Sequence, residues 1–109
     1  MRETLGRRLA EASILVADGG MTTSLRAAGL APGSEPEIWC LRRPDAVVAV
    51  HKAFLAAGAD ILTTNSFGAN RSRYGDDAEA IATVAVRLVR RAMAVLGAPA
   101  VIAGSIGPV

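Results

Sequence analysis

Three short runs constrain this chain more than any other feature: Ser13–Ala17 (SILVA), Asp60–Thr64 (DILTT) and Ala100–Gly104 (AVIAG). Their apolar stretches are continuous rather than alternating. Strands of that kind are buried on both faces, which places them in a parallel sheet with helices outside it. The runs begin at residues 13, 60 and 100. That leaves room between them for helical crossovers, which need about 30 residues or more per βαβ unit.

The intervening segments carry helix signals. Thr22–Ala28 reads as a short helix closed by Gly29. Pro44 and Asp45 open a longer one: proline suits the first helical turn, and an acidic residue there complements the helix dipole. Val47, Val50, His51, Phe54 and Leu55 form its apolar stripe, and Gly58 closes it. Asp76-Asp77 starts a second long helix ending near Leu96, with Ile81, Val84, Ala85, Leu88 and Met93 inward and Gly97 as its stop. Leu30–Pro36 and Asn65–Gly75 read as loops, and Glu37–Leu41 is too short to assign. The order is β-α-β-α-β, a fold of the α/β class. Both a doubly wound sheet and a (β/α)8 barrel accommodate it. A barrel typically needs about 250 residues, so the 109 residues present supply about three of its strands.

Composition narrows the function classes. Hydrophobic residues make up 51% and charged residues 20%, too apolar for a disordered chain. Eleven arginines and one lysine oppose ten acidic residues, for a net charge of +2. The arginines are scattered rather than gathered on one face, so no nucleic-acid footprint is present. The most apolar long stretch, Ala78–Gly104, is interrupted by Arg87, Arg90 and Arg91, which argues against a membrane span. Residues Met1–Glu11 are polar and lack the apolar core of a signal peptide. A single cysteine, Cys40, excludes an intrachain disulfide and fits a reducing, cytoplasmic setting.

The chemistry gathers where parallel sheets bind ligands, at the carboxyl ends of the strands. The three runs lead into Asp18-Gly19-Gly20, Asn65-Ser66-Phe67-Gly68 and Ser105-Ile106-Gly107-Pro108. Asp18 suits a counter-ion for an ammonium group, a general base, or a cap for the helix that follows. Gly19 and Gly20 either let backbone amides face an anion or simply make a tight turn. Thr64, Asn65 and Ser66 offer polar donors beside an apolar wall at Phe67, or serve only as turn formers. His51 sits on an apolar helix stripe, away from these ends, and reads as a core histidine bonded to a backbone carbonyl. Cys40 lies in a loop with no partner cysteine or nearby histidine, and Trp39 reads as packing. Nucleotide-binding glycine motifs and metal-spaced Cys/His clusters are absent.

Three blocks carry a family resemblance. Asp18-Gly19-Gly20-Met21-Thr22-Thr23-Ser24-Leu25 resembles a "DGAMGT-x-L" motif. Glu37-Ile38-Trp39, Pro44, Val47, His51, Ala57-Gly58-Ala59-Asp60 and Thr64-Asn65-Ser66-Phe67-Gly68-Ala69 resemble "E-W-N-L…P…V…H…AGAD…TNTFGA". Ala103-Gly104-Ser105-Ile106-Gly107-Pro108 resembles "AGSIGP". Together they are similar to the homocysteine S-methyltransferase family, which includes betaine–homocysteine methyltransferases and the N-terminal module of cobalamin-dependent methionine synthase. The resemblance implies a (β/α)8 barrel of which residues 1–109 are the N-terminal βαβαβ part, truncated before the rest. It implies methyl transfer to the homocysteine thiol to give methionine. It also implies a zinc ion that keeps the sulfur deprotonated. Asp18 would then bind the substrate ammonium, Gly19 and Gly20 its carboxylate, and Asn65, Ser66 and Phe67 would line the pocket.

The departures from the family pattern are specific. The family's zinc cysteines stand in Gly-x-Asn-Cys and Gly-Gly-Cys-Cys contexts, and neither is present. Cys40 replaces a usual asparagine and Thr22 a usual glycine. The chain alone is therefore expected to be inactive and to need the missing C-terminal barrel portion. Betaine, S-methylmethionine, S-adenosylmethionine and methyl-cobalamin are all open as donors, and a homo-oligomer is compatible. Two other readings stand beside this one: a non-catalytic remnant or subunit of such a barrel, and a small α/β domain binding an anionic metabolite at Gly19-Gly20.

Overall fold

The computed structural model of the chain describes residues 4–11 and 14–108. Helix α1 spans Leu5–Glu11, α2 Met21–Ala27, α3 Trp39–Arg42, α4 Pro44–Ala56, α5 Arg71–Tyr74 and α6 Asp77–Leu96. A 3-10 turn at Pro36–Ile38 leads into α3. Strands β1 (Ile61–Thr63) and β2 (Val101–Ala103) pair in parallel, with Ile61 opposite Val101 and Thr63 opposite Ala103.

The two long helices form for the reasons their ends announce. Pro44 and Asp45 occupy the first turn of α4, and Gly58 follows it at φ +102°. Asp77 and Glu79 lie in the first turn of α6, whose C-cap Gly97 is left-handed at φ +61°. Each glycine takes a φ that a β-carbon would make costly. Ala78, Ala85 and Ala92 recur every seven residues on the buried face of α6, among Ile81, Leu88 and Val89. Side chains this small let a neighbouring helix approach closely, and α4 packs along α6. The alanine-rich composition thus fits a core sealed by close approach as well as by bulk. Leu25, Val47, Leu62, Ile81 and Val89 are its fully buried centre.

The first run departs from expectation. Its opening residue, Ser13, lies outside the described residues, and the rest is an extended segment with one parallel bridge, Ala17 to Ile61. The cause is Asp60. Its carboxylate accepts the Val16 N–H at 3.0 Å, while the Asp60 and Ile61 N–H groups both donate to the Val16 carbonyl. That sharing breaks the even spacing of a parallel ladder. Arg8 of α1 pairs with the same carboxylate at 2.9 Å and ties α1 to this edge. Burial on both faces, expected for all three runs, holds only in part. Leu62 is sealed, but Ile14 is 76% and Val16 54% exposed. The 65–75 loop also contains the single turn α5, which Asn70 caps through its side chain.

Candidate functional site

The chain places the ends of all three runs around one cavity of about 240 Å³. Asp18 and Gly19 come from the first run, Thr63 to Phe67 from β1 and Ser105 from β2. Met21, Thr22 and Glu37 complete the wall, which contains no basic residue.

Asp18 is fixed across the strand ends. The Thr63 N–H donates to Oδ2 and the Thr63 hydroxyl to Oδ1, each at 2.9 Å. It does not cap α2, whose N-cap is Gly20 with no side-chain bond. Gly19 lines the cavity, and its missing side chain is demanded from behind: a β-carbon there would lie 3.0 Å from the Phe54 ring. Gly20 lies outside the lining, where its carbonyl accepts from both the backbone N–H and the hydroxyl of Ser24.

The β1 end is knitted to the β2 end by hydroxyls. Ser66 donates its one proton to the Ser105 carbonyl at 2.9 Å. At 2.6 Å from Ser66, the Thr64 hydroxyl must therefore be the donor between the two. Thr64 accepts in turn from the Ser105 N–H at 3.0 Å. The chain of bonds has a fixed direction and few alternatives, so it holds the loop rigidly. Asn65 is buried and points the other way. Its amide donates to the Pro36 carbonyl at 2.9 Å, and its own carbonyl accepts the Cys40 thiol at 3.4 Å. Asn65 thus shapes the cavity by holding the 36–40 segment. Phe67 is 59% exposed, and its carbonyl accepts the Gly107 N–H.

Glu37 is one of four wall residues, with Met21, Thr22 and Thr63, that sequence reasoning missed as site residues, although it begins the second motif block. It is 3% exposed. Tyr74 donates its hydroxyl to Glu37 Oε1 at 3.1 Å, and Arg73 approaches the same oxygen at 3.8 Å while pairing with Glu35 at 2.9 Å. Burial and then the Glu37 charge push the Tyr74 phenol well above its usual range, so it stays a donor. Gly68 sits over this cluster, and a β-carbon there would meet both the Arg73 guanidinium and Glu37 Oε1. The available signal was an acidic residue between Pro36 and Ile38-Trp39.

Two further expectations change. His51 is fully buried, but its ring nitrogens have no hydrogen-bond partner, carbonyl or otherwise. Desolvation lowers its pKa to about 4, and the charge of Asp18 opposes that shift, so His51 lies within electrostatic reach of the strand ends. Cys40 is in α3 rather than a loop, and burial pushes its thiol up to about 11. Trp39 is half-buried, with the Arg43 guanidinium 4.9 Å from its ring centre. Among the described residues, no group of three or more His, Cys, Asp or Glu side chains could hold a metal ion. No described helix is long and apolar enough to cross a membrane.

Comparison with known proteins identifies the family of the chain. The family described as homocysteine S-methyltransferase matches residues 15–109. Methionine synthase of Mycobacterium tuberculosis is 37% identical over 87% of this chain, which spans only 9% of that protein. Methionine synthase of Mycobacterium leprae is 40% identical over 68% of the chain and 6% of its own length. The homocysteine methyltransferase MmuM from Escherichia coli, in its metallated form, superposes with a TM-score of 0.85 at 26% identity. That superposition covers 95% of this chain and 41% of the other. A family match over residues 15–109, which takes in both strands and every helix except α1, leaves one assignment: the chain belongs to the homocysteine S-methyltransferase family.

Proposed function

We propose that the chain forms the first strands and helices of a (β/α)8 barrel and supplies the amino-acid-binding part of a site that methylates homocysteine. The observation that carries this is the acidic cavity at the strand ends, with Asp18 locked in place by Thr63. Two carboxylates and no basic side chain in the lining suit a ligand with an ammonium group and disfavour a purely anionic metabolite. Asp18 faces the ammonium, the Gly19 amide takes the carboxylate, and Ser66 and Phe67 border the thiol-bearing arm. In the reaction the sulfur forms a bond to the donor's methyl carbon as the bond from that carbon to its carrier breaks. The carrier leaves with the electron pair. This chain contributes by orienting the amino acid so that its sulfur is presented.

Zinc, which the family resemblance implies, finds no donor set among the described residues. Cys40 is already committed to the Asn65 carbonyl and is disfavoured as a thiolate. No step is assigned to a metal held by this chain's residues. The lone buried thiol and the absence of a described membrane-crossing helix support a cytoplasmic setting.

Calorimetric titration of the chain with L-homocysteine tests the reading. Asp18→Ala is expected to weaken binding about ten- to a hundredfold, the range for losing a hydrogen bond to a charged group. In an enzyme carrying the whole barrel, the same change raises the KM for homocysteine. Unchanged affinity would remove Asp18 from the site.

A further inference from the structure

Glu37 has a feature that its structural role leaves unused. Tyr74 and Arg73 both address Oε1. Oε2 accepts no hydrogen bond. It is nevertheless not sealed, because the buried side-chain polar atoms without a partner, among the described residues, are the two ring nitrogens of His51. A carboxylate 3% exposed that borders the 240 Å³ cavity therefore keeps one oxygen without a hydrogen-bond partner. Burying a charge is costly unless it is paired and hydrogen-bonded, and this one is only half satisfied. Asp18, by contrast, already accepts one bond from Thr63 on each oxygen.

We infer that Glu37 is a second ligand for the substrate ammonium and sets the preference of the cavity for an α-amino acid over the same thiol acid without its amino group. The inference rests on the amino-acid reading of the cavity. Glu37 suits the role for three reasons on different elements. The Asn65 amide anchors the Pro36 carbonyl next to it, which fixes its backbone. The Tyr74 hydroxyl fixes its inner oxygen. Gly68 leaves the space its carboxylate needs. An ammonium has three donors. Seated between Asp18 and Glu37 it would pair the bare oxygen, whereas an uncharged carbon at that position would leave the carboxylate unpaired. Discrimination of this kind, against a ligand lacking a required donor, is stronger than discrimination by shape.

The test compares L-homocysteine with 4-mercaptobutanoate, which keeps the thiol and carboxylate and lacks the amino group. Each is titrated calorimetrically into the chain and its Glu37→Gln variant. The unaltered chain should prefer homocysteine by about tenfold or more, and Glu37→Gln should erase most of that preference by weakening homocysteine alone. A preference that survives Glu37→Gln overturns the inference and leaves the amino-acid reading standing. Failure of the unaltered chain to bind either thiol overturns both. Should Glu37→Gln not fold, Tyr74→Phe keeps the carboxylate but frees Oε1. It is expected to weaken homocysteine several-fold and to leave 4-mercaptobutanoate unchanged. An equal loss for both ligands would reduce Glu37 to a structural part.

Discussion

His51 makes stability depend on pH in a calculable way. Its imidazole is fully buried without a hydrogen-bond partner and has a pKa of about 4 in the fold, against 6.5 for an exposed histidine. The folded pKa is the lower one, so the unfolded chain takes up a proton first as pH falls. Well above pH 6.5 both states hold a neutral ring and the residue contributes no pH dependence. Between 6.5 and about 4 the unfolded state gains, by about 1.4 kcal/mol per pH unit at most. From pH 7 to pH 5 the loss attributable to His51 comes to about 2 kcal/mol. Urea denaturation followed by circular dichroism at pH 7, 6 and 5 measures it. His51→Leu has no ring to protonate and should lose about 2 kcal/mol less than the unaltered chain over that interval. Comparing the two slopes cancels the carboxylates, which titrate alike in both. Parallel slopes would refute the reasoning and show that the ring finds a partner or water in solution.

Two further outcomes follow from the geometry. Gly68→Ala should lower stability by about 1–2 kcal/mol in a thermal melt. The Arg73 guanidinium can swing aside, but Glu37 is buried and tied to Tyr74, so that bond gives way. An unchanged melting temperature would mean that the 68 loop moves freely. Cys40 should react with iodoacetamide at pH 7.5 only slowly, because burial and a pKa of about 11 leave little thiolate, and rapidly once urea unfolds the chain. Equal rates would place the thiol at the surface.

Local signals in the sequence were reliable wherever a residue's own chemistry sets the backbone. Pro44, Gly58, Asp77 and Gly97 mark helix ends to within about a residue, since proline geometry and positive φ are properties of those residues. Val47, His51, Ile81, Ala85 and Leu88 were legible as core from helical periodicity. The first run misled because its pairing is decided by Asp60, more than forty residues away, whose side chain takes a backbone donor. The coincidence of three strand ends was legible, and Asp18, Gly19, Asn65, Ser66 and Phe67 border one cavity, while Gly20 lies outside its lining. Glu37 was not picked out because a lone acid between Pro36 and Ile38 acquires meaning only when Tyr74 and Gly68 fold over it. The bare nitrogens of His51 were equally invisible, since a pattern of apolar positions shows burial and not the partner.

The hydroxyl chain Thr64–Ser66–Ser105 and the Asp18–Thr63 bonds have a consequence for how the molecule would respond to an occupant. The cavity walls come from nearly opposite ends of the described chain, and each wall is bonded to the next rather than hung from a separate loop. A ligand seated among them would act as a crosslink between distant stretches. The added protection of backbone amides would then spread along β1 and β2 and into the helices packed behind them, because no loop could open alone. Occupancy and global unfolding would share one equilibrium, and binding energy would appear as resistance of the whole unit to unfolding.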